Sequence, residues 1–294
     1  MRKLASAVAA FILLCTPGVG VAQAGSQNSY AGFDRNEYPG DAALAALRKD
    51  FSYTGYWLNN PPEAQQNTWI GKRALLKQNG FGFLVLFNGR LDAQLKHAEK
   101  TGIGAAALGT ADGKAAVAAA AREGFAANVL IFLDQEEGGR LLPEQAAYLF
   151  AWADAVRAGG ARAGVYCSGI DVPEGKSTIN TARDIVEREN ELAKNSSNGK
   201  GAEHMALWIS DDRCPPSPGC TLKNPPLSAV LSPAIAGTAV VWQYVQSPRR
   251  PEFSAQCPKN QAPDGNCYAP GLAQGANTFV DLNTAKSADP SEAP

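Results

Sequence analysis

Short apolar runs alternate with longer amphipathic segments along most of the chain, and this alternation constrains the possible folds more than any other feature. Such a pattern is typical of a mainly parallel sheet in which each strand returns through a helix. The predicted strands are Ala31–Asp34, Phe51–Leu58, Phe81–Phe87, Val129–Leu133, Ala163–Cys167, Met205–Ile209, Ala239–Val245 and Thr278–Leu282.

Helical segments lie between the early strands and become sparse after the fifth. The predicted helices are Asp41–Lys49, Thr68–Gln78, Leu91–Lys100, Lys114–Glu123, Pro143–Arg157 and Ile179–Lys194, with Leu227–Leu231 as a weak further candidate. We therefore predict an α/β fold, a modified TIM-type barrel with eight strands, about five regular helices and late strands joined by loops. A doubly wound open sheet is the alternative, but it gives no reason for three late strands joined mainly by loops.

The N-terminus has the pattern of an export signal. Arg2 and Lys3 precede an apolar run, Leu4–Leu14, and Ala22-Gln23-Ala24 has the small residues of a cleavage site. Residues 1–24 are therefore predicted to be a signal peptide, and the apolar run is too short to remain as a membrane anchor. We expect an exported protein, periplasmic or extracellular, with a barrel over 25–285 and a disordered tail over 286–294.

Export favours disulfide formation, and four cysteines fall in late loops. Cys214 and Cys220 bracket one turn-rich loop, and Cys257 and Cys267 bracket another. We predict that each pair bridges its own loop, although four cysteines allow three pairings. Cys167, inside the fifth strand, is interpreted as a buried small residue.

Charge and composition exclude several function classes. The formal net charge is −1, whereas nucleic-acid binding needs clustered Lys and Arg. The chain has only 2 histidines, which excludes a multi-histidine metal site. We predict a monomer that uses no metal or cofactor.

Carboxylates and aromatic residues follow or end several predicted strands. In a parallel barrel the functional residues lie at the carboxyl ends of the strands. The acidic candidates at that rim are Asp34, Asp134, Glu136 and Asp281. The candidates for substrate contacts are Tyr56, Tyr166, Trp208, Trp242, Gln243 and Tyr244. Aromatic faces with short polar side chains suit a carbohydrate ligand.

Asp134 and Glu136 are separated by one residue, so an extended backbone places both side chains on the same side. Two carboxylates this close repel each other when both are ionised, which raises one pKa. Glycosidic cleavage needs such a protonated carboxyl group to protonate the leaving oxygen.

Six segments, in this order along the chain, resemble the family 25 glycoside hydrolases, which are peptidoglycan lysozymes. The resemblance is closer to their uncharacterised bacterial relatives, the secreted glycoside-hydrolase-like barrels. The segments are Gly32-Phe33-Asp34, Leu133-Asp134-Gln135-Glu136, Gly164-Val165-Tyr166-Cys167-Ser168, Leu207-Trp208-Ile209, Val241-Trp242-Gln243-Tyr244 and Val280-Asp281-Leu282-Asn283.

The resemblance implies a modified eight-stranded barrel in which Glu136 is the catalytic acid and Asp134 its partner. Asp34 and Asp281 would complete the acidic cluster. The same resemblance implies that the sugar cleft is lined by Tyr166, Trp208 and Tyr244. Ser210-Asp211-Asp212 departs from the lysozyme pattern after the sixth strand, which leaves the glycan open.

Three functions follow as hypotheses. The first is an exported hydrolase of a cell-wall amino-sugar polymer, with peptidoglycan as the expected substrate. The second is a barrel that binds such a polysaccharide without cleaving it. The third is a wall-peptide hydrolase that uses Cys167 or Ser168 with His204, although the chain contains no Gly-x-Ser-x-Gly motif.

Overall fold

The computed structural model describes residues 29–195, 204–212, 235, 237–246 and 280–292. Its strands are β1 Tyr30–Asp34, β2 Tyr53–Trp57, β3 Gly82–Asn88, β4 Leu130–Gln135, β5 Arg162–Ser168, β6 Val172–Glu174, β7 Ser177–Ile179, β8 Ala206–Ser210, β9 Ala239–Val245 and β10 Asp281–Ala285. Eight of them close a barrel in the order β1-β10-β9-β8-β5-β4-β3-β2, which confirms the predicted fold class. The remaining two, β6 and β7, form a short hairpin that the sequence did not indicate.

Helices cover the outside of the barrel between β1 and β8. A short 3-10 turn, Asp41–Ala43, leads into α1 Leu44–Leu47, and the others are α2 Arg73–Gln78, α3 Asp92–Lys100, α4 Ala105–Arg122, α5 Pro143–Ala158 and α6 Thr181–Asn195. None of the helices in the described part of the chain has the length and apolarity needed to cross a membrane.

Two helices begin at least five residues away from their predicted starts. Helix α4 begins at Ala105 rather than Lys114. It packs closely on α5 at Gly109, where the absence of a side chain allows the approach: a Cβ there would lie only 2.2 Å from the Tyr148 carbonyl oxygen. Helix α2 begins at Arg73 rather than Thr68, because a turn in which the Asn67 side chain accepts the Trp69 N–H occupies the preceding residues.

Strand β10 runs against both of its neighbours, while the other adjacent barrel strands are parallel. Its first residue, Asp281, lies opposite Asp34, the last residue of β1. Asp281 therefore reaches the carboxyl rim from the start of a reversed strand, not from the end of a parallel one. The described strand continues to Ala285, whereas Thr278 and Phe279 lie outside the described residues.

Apolar side chains fill both the inside and the outside of the barrel. Inside, the rings of Phe132 and Trp208 pack 5.8 Å apart between centroids. Outside, Phe83 packs edge-on against Phe125 of the helical layer. Strands buried on both faces account for the nearly continuous apolar runs in the sequence.

The expected disordered tail is wrong for residues 286–292. Ser291 is fully buried, its hydroxyl accepts the Val85 N–H, and its carbonyl accepts the Leu130 N–H at 2.9 Å. Glu292 forms an ion pair with Arg73. The polar composition predicted disorder, but the backbone and side chain of Ser291 form hydrogen bonds with backbone groups of β3 and β4 and order this segment.

Several predictions lie outside the described residues. These are the signal peptide over 1–24, the candidate helix Leu227–Leu231, most of the late loops, and the cysteines Cys214, Cys220, Cys257 and Cys267. Cys167 is described as a buried free thiol, which confirms the interpretation of it as a small core residue.

Candidate active site

One side of the carboxyl rim is a set of polar side chains that satisfy one another. Asp34 Oδ1 accepts hydrogen bonds from Gln243 Nε2 at 3.0 Å and from Asn283 Nδ2 at 2.7 Å. Gln243 Oε1 accepts the Tyr166 hydroxyl at 2.7 Å, and Gln243 Nε2 lies 3.4 Å from Asp281 Oδ2. We call Asp34, Tyr166, Gln243 and Asn283 the amide network, because two amides connect four strands of the rim.

The position of Asp34 depends on the neighbouring strand. A Cβ at Gly55 of β2 would lie 2.7 Å from the Asp34 Cβ, so a side chain there would push the carboxylate away. Burial raises the pKa of Asp34 to about 6, although the hydrogen bonds from Asn283 and Gln243 act in the opposite direction. Asp34 is thus a buried acid that titrates near neutral pH.

The other side of the rim is an open cavity of about 380 Å³. Asp134 and Glu136, from the end of β4, both line it, and so does Glu63 from the loop after β2. We call this space the carboxylate cavity. Its remaining lining residues are Asn36, Pro62, Asn88, Gly89, Arg90, Leu91, Gln94 and Gln135.

The two central carboxylates of the carboxylate cavity differ in environment. Asp134 is only 5% exposed, and its Oδ1 is a buried atom without a hydrogen-bond partner. Glu136 is accessible to solvent through the cavity mouth. The structure therefore places the predicted pair in the wall of one cavity, and one oxygen of Asp134 is buried without a partner.

Both carboxyl groups are shifted toward the protonated form. Burial raises the pKa of Asp134 well above its usual range, and the charges of Glu136 and Asp34 add to this. Partial enclosure by the cavity walls raises the pKa of Glu136, and the charge of Glu63 adds to this. The pair consequently retains a proton at pH values where an exposed pair would have lost both.

Glu63 is a residue that the sequence interpretation missed. It is the third residue of a turn closed by a hydrogen bond from the Ala64 N–H to the Pro61 carbonyl at 3.1 Å, and its φ is +62°. A left-handed conformation costs a non-glycine residue about 1–2 kcal/mol. Asn36 holds the turn by donating to the Pro62 carbonyl at 3.2 Å. The Pro-Pro-Glu turn after the second strand was the available signal, because loops at this rim supply functional residues.

The positive charge nearest the carboxylate cavity is already paired. Arg90 lines the wall, but its Nε and Nη2 donate to the two oxygens of Asp112 at 2.6 and 2.9 Å. Asp112 also accepts the Tyr148 hydroxyl at 2.9 Å, which fixes its orientation. Within the described ranges, no group of three or more His, Cys, Asp or Glu side chains is placed to hold a metal ion.

The structure corrects the assignment of Tyr56 to the sugar cleft. Tyr56 is fully buried in the outer layer, where its ring packs on Phe83 and Phe125 and its hydroxyl donates to Glu123. Because β2 is buried on both faces, its sequence could not show which side chains point into the barrel.

The other predicted aromatic residues are mainly wall residues. Trp208 is fully buried and donates to Asn283 at 2.9 Å, while Trp242 is buried and donates to the Asp211 carbonyl. Tyr244 is fully buried, with its ring centroid 5.6 Å from that of Trp242. Of the five aromatic residues predicted to contact substrate, Tyr166 alone keeps part of its surface accessible. Trp208, Trp242 and Tyr244 therefore form part of the barrel wall in this structure, and their contact with substrate stays a prediction.

The residues of the alternative peptidase hypothesis are not assembled. Cys167 is buried, and burial raises its pKa, which disfavours the reactive thiolate. His204 precedes β8 at the amino end of the barrel and pairs with Glu189 at 2.8 Å. Ser168 lies at the carboxyl end of β5, and its hydroxyl accepts the Ile170 N–H.

A protein-family model described as an Rv2525c-like, glycoside hydrolase-like domain matches residues 49–219, more than half of the chain. An uncharacterised protein of B. stearothermophilus is 20% identical, with a TM-score of 0.54, covering 87% of this chain and 95% of that one. The Tat-secreted protein Rv2525c of Mycobacterium tuberculosis, in complex with L-tartrate, is 15% identical over 91% of this chain and 100% of that one, with a TM-score of 0.48.

A bacterial lysozyme from Streptomyces coelicolor is 10% identical, with a TM-score of 0.44, covering 88% of this chain and 92% of that one. Among curated proteins nothing matches. The similarity to the B. stearothermophilus protein supports the barrel fold. The segment that the family model matches, residues 49–219, contains Asp134 and Glu136 but not Asp34 or Asp281.

Proposed function

Because the chain belongs to the family of Rv2525c-like, glycoside hydrolase-like domains, we propose that it is an exported glycoside hydrolase. Its substrate is an amino-sugar polymer of the cell wall, with peptidoglycan as the specific candidate. One observation carries the proposal. Asp134 and Glu136 line the same open cavity with raised pKa values, and a buried oxygen of Asp134 has no protein partner.

Glu136 acts as the general acid. It is the accessible member of the pair, so it can reach a glycosidic oxygen bound in the cavity. Its raised pKa favours the protonated form that a general acid needs. Transfer of that proton to the leaving oxygen makes the sugar alcohol a better leaving group.

Asp134 acts as the partner that positions the sugar. Its carboxyl group lies in the cavity wall and has an oxygen without a protein partner, so an N–H or O–H of the bound sugar can donate to this group. As the glycosidic bond breaks, positive charge develops on the sugar ring, and the acidic surroundings of the site stabilise that charge. The amide network supports this arrangement by fixing Asp34 behind the reacting groups.

The site favours catalysis over binding alone. Non-catalytic carbohydrate sites depend on exposed aromatic faces, and here Trp208, Trp242 and Tyr244 are buried. A buried carboxyl group beside an accessible one, both with raised pKa values, is typical of acid–base chemistry.

Export is part of the proposal and is supported by the signal pattern over residues 1–24. The family is described by its likeness to the M. tuberculosis protein Rv2525c, and that protein is Tat-secreted. Peptidoglycan lies outside the cytoplasmic membrane, so an exported enzyme would meet this substrate.

Loss of turbidity of purified cell walls tests the proposal. The mature protein should clear the suspension, and Glu136→Gln should be slower by about 10²–10⁴-fold, the range for loss of a general acid. Glu99→Gln removes the same charge from an exposed position on α3 and should match the unsubstituted protein. Equal lysis by the protein and by Glu136→Gln, or lysis by neither, would contradict the role of Glu136.

A further inference from the structure

Three carboxyl groups contribute hydrogen-bond acceptors to the walls of the carboxylate cavity. Glu63, Asp134 and Glu136 contribute carboxylate oxygens, and Asp134 Oδ1 is buried without a partner. A ligand that fits such a surface has to bring the donors itself.

Three of the donor side chains on the same walls are engaged by the protein. Asn36 Nδ2 donates to the Pro62 carbonyl at 3.2 Å, and Asn88 Nδ2 donates to the Asn60 carbonyl at 2.9 Å. Arg90 is engaged by Asp112 through two N–H groups, so its charge is balanced. An anionic ligand would therefore meet negative charge without a free cation opposite it.

The backbone at Glu63 shows that its position is imposed by the surrounding loop. Its φ of +62° belongs to the left-handed region, which glycine occupies without strain. The turn is closed by the Ala64–Pro61 hydrogen bond, and Asn36 anchors it to the neighbouring loop. A turn with no other task would be better served by glycine, so the side chain of Glu63 supplies the reason for this residue.

We propose that the carboxylate cavity binds a protonated amino group of the substrate, and that Glu63 is the residue that selects it. The chemical class is an amino-sugar polymer in which some units carry a free amine in place of the N-acetyl group. An ammonium group brings three donors and no acceptor, which matches the walls. The inference rests on the proposed function, because it takes the cavity as the place where the glycan binds.

A metal ion is a poorer match than an ammonium group. The carboxylates in the described ranges do not converge into a group of three or more that could hold a metal ion. A cavity of about 380 Å³ also exceeds the space that a single ion needs and approaches that of a sugar unit.

Binding of two uncleavable oligosaccharides tests the inference. The probes are sulfur-linked tetrasaccharides of glucosamine and of N-acetylglucosamine, titrated calorimetrically into the mature protein at pH 6.5 and low salt. The glucosamine probe should bind at least about tenfold more tightly, and added salt should reduce the difference.

Variants at position 63 separate charge from backbone strain. Glu63→Gln should weaken binding of the glucosamine probe about fivefold, the value for one partly exposed ion pair, and leave the N-acetylated probe unchanged. Glu63→Asp keeps the charge and should retain most of the preference, whereas Glu63→Gly removes charge and strain together and should behave like Glu63→Gln. Glu99→Gln is the matched charge control and should bind both probes as the unsubstituted protein does.

Equal binding of the two probes, binding of neither, or a preference that Glu63→Gln leaves undiminished would overturn the inference. Slower cleavage by Glu63→Gln with unchanged affinity for both probes would also overturn it, since Glu63 would then act only on the transition state. Cleavage of cell walls without an amine preference would remove the inference and leave the proposed function. An amine preference without cleavage would contradict the proposed function and leave the binding preference standing.

Discussion

The amide network and the carboxylate cavity lie at the same rim, but they differ in whether their buried polar groups have hydrogen-bond partners. In the amide network, Asp34 accepts two hydrogen bonds from Gln243 and Asn283, and Gln243 in turn accepts the Tyr166 hydroxyl. In the carboxylate cavity, an oxygen of Asp134 is buried without a partner. A satisfied cluster stabilises the barrel, whereas a buried oxygen without a partner lowers stability and is typical of a functional site.

The largest effect on stability should come from Gln243→Leu. The substitution leaves the Tyr166 hydroxyl and Asp34 Oδ1 each short of a partner, which should lower the free energy of unfolding by about 3–4 kcal/mol. Denaturant unfolding of the purified variant measures this. A loss below about 1 kcal/mol would show that the amide network is not a stabilising element.

The amide network should also make stability depend on pH through Asp34. Its pKa is about 6 in the folded protein and 3.8 as the ordinary value, so the folded state binds more protons between those limits. Stability should therefore fall as pH rises from about 4 to about 6, by about 3 kcal/mol, since each pKa unit corresponds to about 1.4 kcal/mol.

Asp34→Asn should flatten this part of the pH profile, because an amide does not titrate. Unfolding curves at pH 4, 5, 6 and 7 for the protein and the variant make the comparison. If the two profiles run parallel, Asp34 is not the group responsible.

In the carboxylate cavity, replacing the buried acid by its amide, Asp134→Asn, should raise the free energy of unfolding. Asp134 is buried with a raised pKa, so near neutral pH the folded state is disfavoured relative to an unfolded chain with an ionised carboxylate. Asp134→Asn should increase the free energy of unfolding at pH 7 by about 1–2 kcal/mol while wall lysis is lost. A decrease in stability would mean that Asp134 contributes to the fold in the way that Gln243 does.

The smallest effect should be that of Tyr56→Phe. Its hydroxyl donates to Glu123 in the outer layer, so its removal should lower stability by about 1 kcal/mol and leave wall lysis unchanged. Tyr166→Phe is the counterpart on the rim and should slow lysis, because it loosens Gln243. If Tyr56→Phe slows lysis while the protein remains folded, the original placement of Tyr56 in the cleft was right.

The barrel could be predicted because eight apolar runs separated by turns leave few other topologies. The reversed direction of β10 could not be predicted, because the apolar pattern of a short strand does not show whether it runs parallel or antiparallel to its neighbours. Asp281 was nevertheless placed at the correct rim, because its pairing with Asp34 brings it there.

The candidate site was predictable where a carboxylate follows a strand, as for Asp34, Asp134 and Glu136. Glu63 was missed although the Pro-Pro-Glu turn was a signal, because its place in the cavity depends on a left-handed conformation and on Asn36 from another loop. The sequence left open whether Trp208 and Trp242 are wall residues or ligand contacts, because aromatic residues at a rim occur as both, and the structure shows them buried.

The central claim is that the carboxylate cavity breaks a glycosidic bond, and analysis of the cleavage products of purified peptidoglycan tests it most directly. The mature protein should generate new reducing sugar ends, detected by borohydride labelling and mass spectrometry, and Glu136→Gln should generate almost none. Fragments that carry new peptide ends without new reducing sugars, or equal reducing ends from Glu136→Gln, would contradict the claim.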